Sequence, residues 1–329
     1  MSEVTALPAA CDAVFMGTPE FALPSLKILV DSPQVRLHGV FTQPDKPKGR
    51  GMKVQSPPVK EFAREAQLPV YQPKTLKESP VRELLKGMPE LDFVFVVAYG
   101  KKIPDEVLNL PKYGCINLHP SLLPKYRGGA PMRRALFNGE SETGVTTMYL
   151  DQGWDTGDLI LQQRIPLPRD MDYGQLSGLL AEKGASLLLQ TVREILAGTA
   201  PREPQDDSRA THLPLLKPEE EWIDWSLPAE KVHHRIRGLA LTPGARSLFR
   251  NKPVKILKAT PLEDSDTSAD PGSVVSASKS EGLIVASGSG QIELQRVQPA
   301  GKKPMDALDF INGYQIKAGE VFESKPEKS

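Results

Sequence analysis

The stretch LDFVFVVAYG, Leu91–Gly100, decides the architecture. Phe93 through Val97 are all aromatic or β-branched, with no polar alternation. A strand exposed on one side alternates apolar and polar residues. A strand without a polar face is buried on both sides, as in a parallel sheet covered by helices. Working outward, DAVFMG (Asp12–Gly17) and VRLHGVFTQ (Val35–Gln43) read as strands, and VYQP (Val70–Pro73) as a shorter one. GCINLH (Gly114–His119) follows, then ETGVTTMYLDQG (Glu142–Gly153) and DLILQQRIPL (Asp158–Leu167). Between them, EFALPSLKILVDS (Glu20–Ser32) places Phe21, Ser25, Leu26 and Leu29 at helical spacing. Thr18 is the expected cap there and Pro19 the first helical residue. EFAREAQ (Glu61–Gln67) predicts a helix, and Tyr173–Gly198 a long amphipathic one stopped by Gly198. This alternation predicts an α/β domain with an open, doubly wound, parallel-rich sheet and helices on both faces.

At 329 residues the chain exceeds a usual single domain. Thr199–Pro214, rich in proline and charge and poor in apolar periodicity, reads as a linker. Beyond it, Pro228–Ala240 predicts one helix. Five closely spaced strands follow: ARSLF (Ala245–Phe249), PVKILKA (Pro253–Ala259), GSVVSA (Gly272–Ala277), GLIVAS (Gly282–Ser287) and QIELQRVQ (Gln291–Gln298). That pattern predicts a small β-barrel or sandwich. The expected organisation is residues 1–198, a linker at 199–214, and a second domain at 215–329. Trp222 and Trp225 are assigned to core packing.

Formal net charge is zero, which leaves no global attraction to a polyanion, though local basic patches remain possible. Cys11 and Cys115 are the only cysteines, and they stand outside any metal-type spacing. A disulfide framework is excluded and a reducing, cytoplasmic compartment is expected. The N-terminal stretch lacks a basic, apolar or Arg-rich leader pattern, so no signal or transit peptide is expected, and no run reaches membrane-spanning length.

Asn117 and His119 interrupt the apolar strand GCINLH two positions apart, so they project from one face at its C-terminal end. Ligands of open parallel sheets bind outside those ends. A carboxamide offers an uncharged N–H donor, and an imidazole, with an ordinary pKa near ~6.5, donates as imidazolium. Two such donors aimed at one point hold a developing oxyanion, which suits acyl transfer. A carboxylate is then wanted to hold the ring. LDQGWDTGDLIL (Leu150–Leu161) offers Asp151, Asp155 and Asp158 on a glycine-punctuated turn, with Asp155 favoured for its place between Gly153 and Gly157. Other chemistries fit less well. Ser121 lies too near His119 for a Ser–His–Asp hydrolase, and no G-x-S-x-G elbow occurs. Zinc would need ligands beyond His119 and Asp155. FMGTPEFA carries a single glycine, against a nicotinamide site.

FMGTPEFA, FTQPDKPKGRG, VVAYGKKIP, INLHPSLLPKYRGGAP and LDQGWDTGDLIL occur in that order, with IDWS and VQPAGKKPM beyond. Together they resemble the methionyl-tRNA formyltransferases, a branch of the folate-dependent formyltransferases, over nearly the whole chain. The resemblance implies a Rossmann-like catalytic domain, a linker and an OB-like barrel. It implies formyl transfer from 10-formyltetrahydrofolate to the methionine amino group of initiator methionyl-tRNA, for translation initiation, in the cytoplasm; a monomer without metal or membrane partner is expected. Asn117, His119 and Asp155 match the family's catalytic trio, and Ser121, Leu122, Leu123 and Pro124 its folate loop. Pro120 stands where some relatives have glycine.

TQPDKPKGRGMKVQSPP (Thr42–Pro58) is read as a long loop carrying Lys46, Lys48, Arg50 and Lys53, with no acid after Asp45. Such a run is usually a solvated surface. Near a cleft it suits the phosphates of an acceptor stem, and the resemblance makes Arg50 its key cation. In the second domain Arg246, Arg250, Lys252, Lys255, Lys258, Arg296, Lys302 and Lys303 are candidates for a phosphate-tracking surface, Lys302 and Lys303 being the most concentrated. His233 and His234 are expected to be bystanders. Two other readings remain: a folate-dependent hydrolase or formyltransferase with another acceptor, and a tRNA-binding module indifferent to Asn117 and His119.

Overall fold

The computed structural model describes residues 10–48, 53–263 and 268–324. In chain order, the first elements are β1 (Cys11–Gly17), α1 (Leu23–Val30), β2 (Val35–Phe41), β3 (Lys46–Lys48), β4 (Lys53–Gln55), α2 (Pro58–Glu65) and β5 (Val70–Tyr71). Then come α3 (Ser79–Lys86), β6 (Phe93–Val97), α4 (Asp105–Leu108), β7 (Cys115–His119), β8 (Arg127–Gly128) and α5 (Pro131–Asn138). The middle of the chain forms β9 (Glu142–Tyr149), β10 (Leu159–Pro166), α6 (Tyr173–Leu196), β11 (His212–Leu213) and α7 (Ala229–Leu239). The last elements are β12 (Ala245–Phe249), β13 (Lys252–Pro261), β14 (Val274–Ser278), β15 (Gly282–Ala286), β16 (Gln291–Pro299), β17 (Met305–Asp306), α8 (Ala307–Tyr314) and β18 (Phe322–Glu323).

Seven strands form one sheet in the order β10-β9-β7-β6-β1-β2-β5. The pairs β5–β2, β2–β1, β1–β6 and β6–β7 are parallel, and β7–β9 is antiparallel. Every residue of β6 and β7 is buried, as the unbroken apolar run requires. The sheet order reverses between β1 and β6, so the C-terminal ends of five parallel strands share one edge with a topological switch point in it. Side chains alternate across this sheet. Val14, Met16, Val94, Val96 and Cys115 form a core on one face. Leu118 points the other way, onto α6, where Gly184 permits close approach: a Cβ there would sit 2.6 Å from Leu118 Cδ2. Thr18 does not cap a helix. Its hydroxyl donates to Tyr99 O (3.2 Å), and the helical path opens with a 3-10 turn at Glu20–Ala22 before α1, where Pro24 occupies the first turn.

The chain groups into two compact units that do not follow chain order. One holds Gly144–Ile165, Ser177–His212 and the described residues up to Gly128; the other holds Gly129–Thr143, Pro166–Leu176 and the described residues from Leu213 on. Helix α5 therefore belongs with α7. Arg133 donates to Gly238 O and Thr242 O (2.6 Å each), Arg134 pairs with Glu220, and Arg235 lies over the Phe137 ring (4.2 Å).

In the second unit six strands run β14-β15-β16-β13-β12-β18, with β17 on β16. Their ladders are antiparallel. The sheet curls until Ser273 bridges Val321, and Phe322 N donates to Gly272 O (2.8 Å), giving the OB-like barrel expected. Trp225, Phe249, Phe310 and Phe322 fill it with the aliphatic residues of the inner face. Trp225 Nε1 donates to Ser247 Oγ (3.0 Å), so its buried N–H is satisfied. Among the described residues no helix is long and apolar enough to cross a membrane.

The opposite face of β6 makes a direct forecast. Phe95 is fully buried and stacks on Phe93 with ring centroids 5.3 Å apart. Phe95→Ala is expected to cost about 3–5 kcal/mol, seen as a lower urea midpoint. A shift under about 1 kcal/mol would contradict burial on both faces.

Candidate active site

The alternation that buries Cys115 carries Asn117 and His119 to the same face, one and two steps nearer the strand end. Asn117 pairs in register with Val96 of β6 and Met148 of β9. The His119 ring is buried. Its Nε2 lies 3.0 Å from Tyr126 O, and its Nδ1 lies 3.6 Å from Asp155 Oδ1. A carbonyl only accepts, so the hydrogen of that first contact sits on Nε2. Nδ1 is then the nitrogen left facing Asp155. At 3.6 Å the carboxylate is within ion-pair range of Nδ1 but too far to capture its hydrogen in a short bond.

The three acids that spacing left open have distinct tasks. Asp151 accepts from Gly153 N (2.9 Å) and Thr156 Oγ1 (2.7 Å), closing an Asx-type turn. Asp158 pairs with Arg202 Nε at 2.7 Å. Asp155 alone of the three faces His119. Its backbone is left-handed, φ 55°, and its Oδ2 accepts from Gly128 N at 2.8 Å. The turn packs tightly, since a Cβ on Gly157 would sit 1.9 Å from Tyr149 O.

The SLLP loop hangs on one hydroxyl. Thr146, opposite His119 in the β7–β9 register, donates from Oγ1 to Ser121 O (2.6 Å). The same oxygen accepts from Leu123 N (3.3 Å) and Gln162 Nε2 (2.9 Å). Gln162 Nε2 also donates to Leu123 O (2.8 Å). Ser121 is buried with its hydroxyl donating to Lys125 O (2.8 Å), so it does not serve His119 as a nucleophile. Leu123 is buried, while Leu122 and Pro124 are partly exposed. Thr211 anchors the loop's far end, accepting from Tyr126 N at 2.7 Å. Burial pushes the Cys115 thiol up to about 12, which keeps it protonated and unreactive.

Sequence reasoning missed Thr146, Gln162, Gln205 and Arg127. A threonine facing inward from a strand looks like ordinary β-propensity. Gln205 sits in the stretch assigned to a linker. There its Nε2 donates to Asp155 O (2.9 Å) and Gly157 O (2.7 Å).

The basic segment after β2 is not a plain loop. β3 and β4 pair antiparallel, with Lys46 opposite Gln55 and Lys48 opposite Lys53. Arg50 lies outside the described residues, and Lys48 and Lys53 are placed by backbone alone. The hairpin is rooted in the sheet's edge. Lys46 Nζ donates to Gln43 Oε1 (2.7 Å), and Gln43 Nε2 donates to Tyr99 O (3.0 Å). Asp45 takes Lys60 Nζ (2.6 Å) and Gln72 Nε2 (2.8 Å). Hydrogen bonds from Gln72 and Lys60 hold the Asp45 carboxyl below the usual carboxylate range. In the second unit Lys302 and Lys303 are exposed, whereas Arg250 is paired with Glu320 (2.7 Å) and Arg246 with Glu221 (2.8 Å). His233 is buried, and desolvation lowers its pKa to about 4.

A parallel-rich sheet with an amide, an imidazole and a carboxylate at its carboxyl edge, joined to an OB-like barrel, defines the class of the formyl transferases. Residues 13–192 match the formyl transferase family and residues 215–315 its C-terminal domain. Methionyl-tRNA formyltransferase of Moorella thermoacetica is 47% identical over 309 residues, covering 94% of this chain and 98% of its own. That of Desulforamulus reducens is 44% identical over 308 residues, covering 94% and 96%. The chain belongs to the methionyl-tRNA formyltransferase family. Among solved structures, HypX of Aquifex aeolicus in complex with tetrahydrofolic acid superposes with a TM-score of 0.64 at 14% identity, over 97% of this chain and 51% of that one. The sugar 3N-formyl transferase WlaRD gives a TM-score of 0.62 at 18% identity, over 90% and 99%. These two show the shared fold.

Two outcomes follow from this geometry. Thr146→Val leaves Ser121 O, Leu123 N and Gln162 without their common partner, and is expected to cost about 1–3 kcal/mol in urea unfolding; wild-type stability would contradict the hub. Because the Asp45 pKa is lowered on folding, its contribution is full above the ordinary carboxylate value and is lost as pH falls through the depressed folded one. The stability gap between wild type and Asp45→Asn should therefore be present at neutral pH and vanish in acid. A gap constant across that range would contradict the assignment.

Proposed function

We propose that this chain transfers the formyl group of 10-formyltetrahydrofolate to the α-amino group of methionine on initiator methionyl-tRNA, in the cytoplasm. The observation that carries the reading is the His119 ring, fixed at Nε2 by a carbonyl and facing a carboxylate at Nδ1, two residues beyond Asn117. The neutral amine attacks the formyl carbon, and a C–N bond forms. Charge grows on the formyl oxygen, which receives the Asn117 N–H and the Nδ1–H of His119. Asp155 balances the ring's positive charge while leaving that hydrogen available. The bond to folate N10 then breaks. The amine gives up one proton and N10 gains one, a transfer that Asp155 can assist through a water. No covalent enzyme intermediate is needed.

In this reading residues 1–198 form the catalytic domain, 199–214 the connection and 215–329 the tRNA-binding domain. Ser121–Pro124 bounds the folate, with Leu122 and Pro124 offering surface and Ser121 and Leu123 offering shape. Lys46, Lys48, Arg50 and Lys53 meet the acceptor stem; the paired strands β3 and β4, which include Lys46, Lys48 and Lys53, are ordered at lower entropic cost than a free loop. Lys302 and Lys303 join a basic surface on the barrel. There the strand register sets exposed Lys258 against exposed Arg296, a like-charge pair that costs stability by itself. A phosphate backbone relieves that cost.

The reading is tested with labelled formyl donor and methionyl-tRNA of initiator and elongator types; label on neither amine refutes it. Asn117→Ala and His119→Ala are each expected to lower the single-turnover rate about 10²–10³-fold, as for other oxyanion donors, with melting temperature retained. Full activity of either variant contradicts its role as an oxyanion donor. Arg50→Ala should depress formylation of the initiator tRNA and leave the KM for folate unchanged, and equal loss of both would remove the hairpin from tRNA recognition.

A further inference from the structure

Asp155 has a left-handed backbone, which a residue with a Cβ rarely adopts, so its placement needs support from outside its own turn. That support comes from two distant segments. Gln205 Nε2 donates to the carbonyls of Asp155 and Gly157, and Gln205 Oε1 accepts from Arg127 Nε at 3.0 Å. Arg127 is 2% exposed, and its Nη2 is held by Asp207 Oδ1 at 2.8 Å. The next residue, Gly128, sends its N–H to Asp155 Oδ2. The strap carrying Gln205 is itself pinned: Leu159 N donates to Glu203 O (2.8 Å) and Glu203 N returns to Leu159 O (3.0 Å). Asp155 is thus held at its backbone by Gln205 and at its carboxylate by Gly128, and Arg127 ties the two holders together.

We infer that Gln205 is a positioning residue for the proposed reaction, setting the Asp155 carboxylate opposite His119 Nδ1 through two donated hydrogen bonds. The inference rests on the proposed formyl transfer. Its chemistry is specific to a primary amide. Only such a group offers two N–H donors to two carbonyls and, on the same plane, an acceptor to a guanidinium. Glutamate in its place has the same size and keeps the Arg127 contact, but it turns an oxygen toward two carbonyl oxygens. A shift of about 1 Å in the turn is enough to cost 10²-fold in rate.

The test uses the full chain in single-turnover transfer from 10-formyltetrahydrofolate to initiator methionyl-tRNA, with melting temperature in parallel. The expected result is that Gln205→Glu lowers the rate about 10²-fold, while the KM for the formyl donor stays within about threefold. The double variant Gln205→Glu/Asp155→Asn should be no slower than Asp155→Asn alone, because both act on one carboxylate. Should Gln205→Glu fail to fold, Gln205→Met removes the two donated hydrogen bonds without adding charge, giving up the Arg127 contact as well, and carries the same expectations. Losses that multiply in the double variant, or a raised KM at unchanged rate, overturn the inference. Wild-type inactivity refutes the proposed function itself. An active wild type with an impaired Asp155→Asn and unimpaired Gln205 variants refutes this inference alone.

Discussion

The contact between His119 Nε2 and Tyr126 O organises the site. A carbonyl oxygen has no hydrogen to give, so this 3.0 Å contact fixes one ring hydrogen and leaves the other nitrogen turned toward Asp155. Two threonines keep that carbonyl in place. Tyr126 has a left-handed backbone, and its N–H is taken by Thr211. The loop before it is suspended from Thr146, the residue opposite His119 on the neighbouring strand. The ring is therefore oriented by backbone and by a strand already fixed in register, rather than by mobile side chains. This is the preorganisation that charge stabilisation in a transition state requires.

The apolar core explains why the polar groups stand where they do. Strands β1, β6 and β7 are buried on both faces, and their register admits no one-residue slip without turning Asn117 and His119 toward α6. The same edge gathers the other loops. Thr18, Gln43 and Tyr99, from the ends of three neighbouring strands, are hydrogen-bonded together, and Gln43 passes the support on to Lys46 at the base of the hairpin. Polar recognition is built at a rim whose position the hydrophobic pattern dictates.

That pattern is why so much was legible in the chain itself. The continuous run at Phe93–Val97 and the interrupted one at Cys115–His119 announce both the sheet and the pair projecting from it. The five strands of the barrel are equally visible between their glycine and serine turns. What escaped was held by long-range polar bonds, which leave no periodic trace. Thr18 carries a capping residue's chemistry but spends it on Tyr99 O. The turn from Asp151 to Asp158 offers three carboxylates in eight residues; spacing favours Asp155 and the resemblance matches it, and the fold shows that it is the one facing His119. Gln205 lies in a stretch whose proline and charge content looks like tether, yet its side chain grips two carbonyls of the turn that carries Asp155. Helix α8, eight residues long, falls in a segment to which the sequence reading assigns no element.

The central claim concerns one hydrogen atom, and it is open to direct observation. Nitrogen-15 NMR of histidine-labelled protein, with His119 assigned by difference from His119→Asn, reports which ring nitrogen of the neutral imidazole is protonated. The account requires Nε2 to bear the hydrogen and Nδ1 to be bare. A neutral ring protonated at Nδ1 would mean that Tyr126 O does not hold it, and the arrangement of oxyanion donor and carboxylate derived from that contact would be wrong.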